Sequence, residues 1–156
     1  MNYKWNWGVF FQQTPDGDAF YWEWILSGLL WTLAVSAIAW IIAISLGSVI
    51  GVIRTTERRW LVRLGNAWVE LFRNIPLLVQ MFLWYFVMPE LVPESFGIWI
   101  KTELPNLVEL PFAQFSMWEF IAPVLCLGMY TASRVAEQVR AGIQSMPRGQ
   151  SDAGLA

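Results

Sequence analysis

Glu70, Arg73, Pro76 and Gln80 follow one another at steps of three or four residues, and Glu137 and Arg140 repeat the first step farther along, with Gly142 close behind. Carboxylates, guanidinium groups and an amide in such rows join helices or partners through ion pairs and hydrogen bonds. A third group ends the sequence: Gly149, Gln150, Ser151, Asp152, Ala153 and Gly154. Pro147 and Gly149 stop one helix, and Ser151 can N-cap another whose first residue, Asp152, sets a carboxylate at the positive end of the helix dipole. Before Ala156 that second helix does not complete two turns, too few to persist in water. It is expected either to continue in further chain or to be seated in a partner.

The groups that make and break bonds are missing. The chain has no histidine, which removes the usual general base and the commonest metal ligand. Cys126 is the only cysteine and lies in an apolar run, so an internal disulfide and a cysteine-based metal site are excluded. The sequence holds no Gly-x-x-x-x-Gly-Lys-Ser/Thr loop, no His-Glu-x-x-His and no Gly-x-Ser-x-Gly. An enzyme is not expected, nor a cofactor or a metal. With a net charge of −2 and no basic stripe interleaved with aromatics, nucleic acid is not an expected partner either.

The elements that position these groups are membrane helices. Hydrophobic residues make up 56 %, charged residues 14 %, eleven residues are tryptophan, and the mean hydropathy is +0.45. A soluble domain has roughly 45–50 % apolar residues and spreads its charge. The reading is an all-α, polytopic transmembrane bundle with membrane lipid as its solvent. Residues 25–53 carry no charge over about 29 positions, against the ~20 needed to cross. Trp22, Trp24 and Trp31 sit near its outer end as interfacial anchors. Gly47 and Gly51 form a Gly-x-x-x-Gly step, suited to packing within one subunit or to a dimer seam. Residues 59–73 predict an amphipathic helix at the inner interface, with Arg59, Arg63, Asn66, Glu70 and Arg73 on a wet face and Trp60, Leu64, Ala67, Trp68 and Leu71 opposite. Asn74 and Pro76 mark the turn into a second span, residues 75–92. Gln80, its strongly polar side chain, must face a helix partner or a water-filled path. Residues 93–114 read as an outer loop with a short surface helix, and residues 115–133 as a third span with Pro123 inside it.

Orientation follows from the basic residues. Lys4 and Lys101 flank one side; Arg54, Arg58, Arg59, Arg63, Arg73, Arg134, Arg140 and Arg148 flank the other. The positive-inside rule places the amino terminus outside and the carboxyl end in the cytoplasm. No basic region followed by a short apolar stretch and a small-residue cleavage site marks a signal peptide.

Two blocks read together resemble a known family. Glu70-Leu-Phe-Arg-Asn-Ile-Pro-Leu-Leu-Val-Gln80 matches a Glu-x-x-Arg-x-x-Pro-x-x-x-Gln signature, and Ala136 through Gln150 leads into a loop whose core reads Glu-Ala-Ala-x-x-x-Gly, here Asp152-Ala153-Gly154. This pair resembles the permease subunits of type I ATP-binding-cassette (ABC) importers for polar amino acids, nearest in look to those for glutamate and aspartate. The resemblance implies an inner-membrane subunit with a periplasmic segment at residues 1–23 and an incomplete ABC transmembrane type-1 domain at 24–156, whose residues 134–156 form the cytoplasmic coupling region. It implies a second permease, identical or paralogous, a periplasmic amino-acid-binding protein, and cytoplasmic ABC ATPase subunits that hydrolyse the ATP and receive the helix around Gly149, Gln150, Asp152, Ala153 and Gly154. Asp152 shortens the family glutamate by one methylene, and Gly154 in place of alanine weakens the helix by roughly 1 kcal/mol. Glu70 with Arg73 also reads as an ordinary i, i+3 surface pair, and Arg134, Glu137 and Arg140 as a helix running on into water. A non-transporting membrane anchor that recruits a cytoplasmic protein, or a small channel-forming oligomer, are the rival classes.

Overall fold

The computed structural model describes residues 5–15, 17, 19–104 and 117–146. The expected coupling residues Gly149, Gln150, Asp152, Ala153 and Gly154, and part of the 93–114 segment, lie outside them. Among the described residues the fold is helical, with one isolated antiparallel bridge between Gln13 and Phe20. A short 3-10 helix, Trp7–Phe11, precedes α1, Tyr21–Ile53. The chain reverses between them at Gly17, whose φ of +75° is open to glycine.

Helix α1 starts where the Glu23 carboxylate accepts the Phe20 backbone N–H at 2.8 Å. Its 33 residues span about 50 Å at 1.5 Å per residue, more than a bilayer core of about 30 Å. It is apolar on every side, and two of its hydroxyls bond back within the helix: Thr32 donates to Gly28 O and Ser45 to Ile41 O. Leu29, Leu33, Trp40 and Ile41 stand more than half exposed along it. Such a stripe belongs in lipid or against another membrane subunit.

Helix α2, Arg59–Asn74, breaks at Ile75 and Pro76 into α3, Leu77–Phe82, which continues through a π-type turn at Leu83–Val87 into α4, Met88–Leu91. The Met88 N–H reaching back to Leu83 O is the five-residue bond of that turn. The angle between α2 and the Leu77–Leu91 stretch is 100°. Helix α5, Glu94–Thr102, lies in the segment expected as an outer loop and folds back on α4; a β-carbon on Gly97 would fall 2.3 Å from Pro89 O. Helix α6, Met117–Gln144, runs unbroken through Pro123.

Among the described residues only α1 is by itself long and apolar enough to cross a membrane; α2 and Leu77–Leu91 reach that composition together as a bent pair. The expected third span is the first part of α6, where small residues replace large apolar ones. Ala122, Gly128, Ala132, Ser133 and Ala136 are buried there, facing Ala39, Ala43, Gly47 and Gly51 of α1. A β-carbon on Gly47 would fall 2.7 Å from Ala132 O, one on Gly51 2.7 Å from Val139 Cβ, and one on Gly128 2.9 Å from Ile42 Cγ2. Close backbone approach is thus the use of the Gly-x-x-x-Gly step, inside one chain. Contacts advance together along both helices, from Trp31 on Phe120 to Gly51 on Val139, so α1 and α6 run parallel.

Candidate functional site

Two of the polar residues picked from the sequence, Arg73 and Glu137, meet where α1 ends between α2 and α6. Arg54, the C-cap of α1, is buried, its side chain only 4 % exposed. Its stem lies over Gly65 of α2, where a β-carbon would meet Arg54 Cγ at 2.6 Å. Arg54 Nε donates to Asn66 Oδ1 at 2.8 Å, and Nη2 donates to Glu137 Oε1 of α6 at 2.9 Å. Arg73, in the last turn of α2, brings Nη1 to the same Glu137 oxygen at 3.0 Å. One carboxylate therefore serves two cations from two helices. The Arg73 side chain is 51 % exposed, so the two ion pairs differ in kind: one buried and braced, one at the surface.

Burial works to raise the Glu137 pKa, but the Arg54 hydrogen bond and charge, with those of Arg73, outweigh it and hold the carboxyl below its ordinary value. The carboxylate is the working form at neutral pH.

Gln80 sits around the corner, 3 % exposed. Its Nε2 donates to Phe72 O and to Ile75 O, both at 2.8 Å. These are carbonyls at the end of α2, left without helical donors by the break at Pro76. The amide braces the 100° elbow from within, so its partner is the preceding helix. Pro76, with φ −55°, is the N-cap of α3.

The remaining residues are more dispersed. Glu70 is exposed, and Arg73 reaches past it to Glu137 instead of forming the i, i+3 pair. Arg140 is half-buried, with its Nε enclosed and lacking a hydrogen-bond partner, as are Arg54 Nη1 and Gln80 Oε1. Gly142 faces open space. Arg134 stays on its own helix, bonded to the Tyr130 hydroxyl and stacked 4.9 Å over that ring. Of the wet face expected for α2, Arg59, Arg63 and Glu70 are exposed, while two members also reach the rest of the chain. Asn66 and Arg73 turn inward to the ion-pair node, Gly65 and Val69 are buried, and Trp60, Leu64 and Leu71 are the exposed side. In a bilayer the large apolar groups of that side find lipid, while Arg73 finds Glu137.

A second junction lies toward the other end of α6. Trp118 Nε1 donates to Tyr85 O, inside the π-type turn, at 3.1 Å, and the Tyr85 hydroxyl donates to Glu119 at 3.3 Å. The node rests on Arg54 and Gly65, which sequence patterning did not single out. The available signals were a cation directly after an uncharged membrane-length run and a glycine inside an otherwise good helix. Among the described residues no group of His, Cys, Asp and Glu is placed to hold a metal. The site joins helices through ion pairs and hydrogen bonds.

These features define a helical membrane subunit built on a parallel small-residue pair with a bent helix clamped across one end. No family model matches the chain. It is 54 % identical over 157 residues to the glutamate/aspartate import permease protein GltJ of Escherichia coli K12, a match covering all of this chain and 60 % of that protein. It is 34 % identical over 128 residues to the probable glutamine ABC transporter permease protein GlnM of Bacillus subtilis, covering 82 % of this chain and 49 % of that one. The crystal structure of an amino acid ABC transporter with histidines superposes with a TM-score of 0.59 at 28 % identity, over 82 % of this chain and 50 % of that chain. By sequence and by fold the chain belongs with the permease subunits of amino-acid ABC transporters. It spans 60 % of the length of GltJ and about half that of the other two.

Proposed function

We propose that this chain is part of a permease subunit that carries glutamate or aspartate inward across the bacterial inner membrane. ATP hydrolysis belongs to separate cytoplasmic ABC ATPase subunits, and a periplasmic binding protein hands over the amino acid. A second permease, identical or paralogous, completes the path. The observation that carries this reading is the match to GltJ along the whole chain, 54 % identical over 157 residues.

The geometry supports the same role. Because α1 and α6 run parallel, Arg54, Arg73, Glu137 and Arg140 all fall at one end of the bundle. With eight of the ten basic residues on that side of the sequence pattern, that end is the cytoplasmic one and the amino terminus is periplasmic. Helix α6 then delivers the chain to the cytoplasm, where Gly149, Gln150, Asp152, Ala153 and Gly154 form the docking segment for the ATPase. Small residues there allow close approach, and Asp152 offers a charge to a basic or amide partner.

The test is uptake into proteoliposomes by the full-length permease with its ATPase, partner permease and binding protein. Accumulation of labelled glutamate or aspartate that needs both ATP and the binding protein is the expected result. A passive ion leak would replace this reading with a channel, and neither activity would leave a membrane anchor. Replacing Asp152, Ala153 and Gly154 with bulky or oppositely charged residues is expected to abolish attachment of the ATPase; retained attachment overturns the coupling assignment.

A further inference from the structure

The described helices divide into two tightly made pieces. Helices α1 and α6 are fused along a seam where three glycines leave no room for a β-carbon. Helices α2 and α3 are fused at the elbow, where Gln80 ties both carbonyls of the break. At the basic end these pieces pack over Ile50, Val69 and Ala136, and beside that apolar patch Arg54 and Arg73 make two unequal polar contacts. Arg54 is enclosed, seated on Gly65 and bonded to Asn66 as well as Glu137. Arg73 is half exposed and reaches the opposite piece through the Glu137 oxygen. A buried guanidinium does not leave its counter-charge readily, whereas a surface ion pair on a long side chain opens at little cost.

The geometry points to Arg73–Glu137 as a latch between the elbow and the α1–α6 pair, with Arg54–Asn66 as the pivot that stays closed. Arg73 is a positioning residue that acts through Glu137. In the closed state described here it holds the elbow against α6. When α6 is displaced from its cytoplasmic end, the Arg73 contact opens first and α2 swings on the pivot, while Trp118 and Glu119 keep the far end of the elbow on α6 through Tyr85. This deepens the transporter reading and rests on it for the source of the displacement.

The experiment uses the assembled, reconstituted transporter with Arg73→Gln, Arg73→Glu and Arg73→Lys. Two quantities are read: ATP hydrolysis with and without the binding protein, and the distance between spin labels on Arg63→Cys of α2 and Gln138→Cys of α6 in a Cys126→Ser background. Arg73→Gln and Arg73→Glu are expected to raise binding-protein-independent hydrolysis roughly fivefold or more, the lower range of coupling between linked sites. The same variants should shift the label distance toward the value the parent shows with a bound ATP analogue, and Arg73→Lys should keep parental behaviour. A residue needed only for stability would lower both hydrolysis rates together and leave their ratio unchanged. An unchanged ratio with an unchanged distance overturns the latch. A parent complex that accumulates neither acidic amino acid overturns the cargo assignment instead, and the label distance still decides the latch.

Discussion

Gly65 and Arg54 occupy one space: the aliphatic stem of the arginine crosses α2 where a side chain at 65 would stand, and a β-carbon there would fall 2.6 Å from Arg54 Cγ. That contact lets a cation at the end of an apolar helix turn back under α2 and reach Asn66 and Glu137 together. Gly65→Ala is expected to destabilise the full-length permease by about 1 kcal/mol, the ~1–3 kcal/mol of overpacking less about 1 kcal/mol of regained helix propensity. Thermal unfolding in detergent checks it, with Gly142→Ala as the control. Nothing stands within 4 Å of a β-carbon at Gly142, so that variant should hold or gain stability.

The α1–α6 seam gives a sharper contrast on a single helix. Gly47 faces backbone, since its β-carbon would fall 2.7 Å from Ala132 O, whereas Gly28 on the same helix faces open space. Gly47→Ala is expected to lower stability by about 1–3 kcal/mol, because a carbonyl cannot step aside as a side-chain tip can. Gly28→Ala should not lower it. Equal effects at the two sites would contradict the described packing.

The unequal ion pairs predict unequal costs. Arg73→Gln is expected to change stability by ~0–1 kcal/mol, as for a surface pair. Glu137→Ala leaves the Arg54 charge buried without its partner, a loss of ~3–5 kcal/mol for fully enclosed pairs. The Glu137 carboxylate retains some solvent, so about 2 kcal/mol is expected here. Denaturation of both variants beside the parent decides the order.

The lowered Glu137 pKa fixes the direction of a pH effect. A carboxyl held below its unfolded value contributes stability that is complete above the unfolded pKa of about 4.3 and is lost as pH falls through the lower folded value. The stability difference between the parent and Glu137→Gln should therefore be constant from about pH 6 to 8 and shrink below about pH 4. A difference that narrows near neutrality would show that the carboxyl is not held in this way.

Gln80→Leu keeps the side chain's bulk and removes both bonds to the elbow. Leaving buried carbonyls unpaired costs ~1–3 kcal/mol, and about that loss of stability is expected. Gln80→Glu should be no better, since a carboxylate has no donor for Phe72 O or Ile75 O. Parental stability in either variant would remove the brace from the elbow.

Much of this arrangement was legible along the chain because it is written in local chemistry. The uncharged run after Glu23 could only be a membrane helix, Asn74 and Pro76 could only interrupt one, and glycines four apart announced a close approach of backbones. Arginine counts alone marked which ends share a side. The amphipathic pattern of α2 was also plain in the sequence, but not which side meets the rest of the chain. That was decided when Asn66 and Arg73 found charges on other helices and left Trp60, Leu64 and Leu71 outward. The pairing of Arg54 with Glu137 spans 83 positions, and no local periodicity connects them. It exists because parallel packing of α1 on α6 brings the end of α1 level with Glu137, and because a buried guanidinium is costly without a carboxylate partner. Sequence determined which segments are helices and what medium they need; tertiary packing alone chose the partners of the charges.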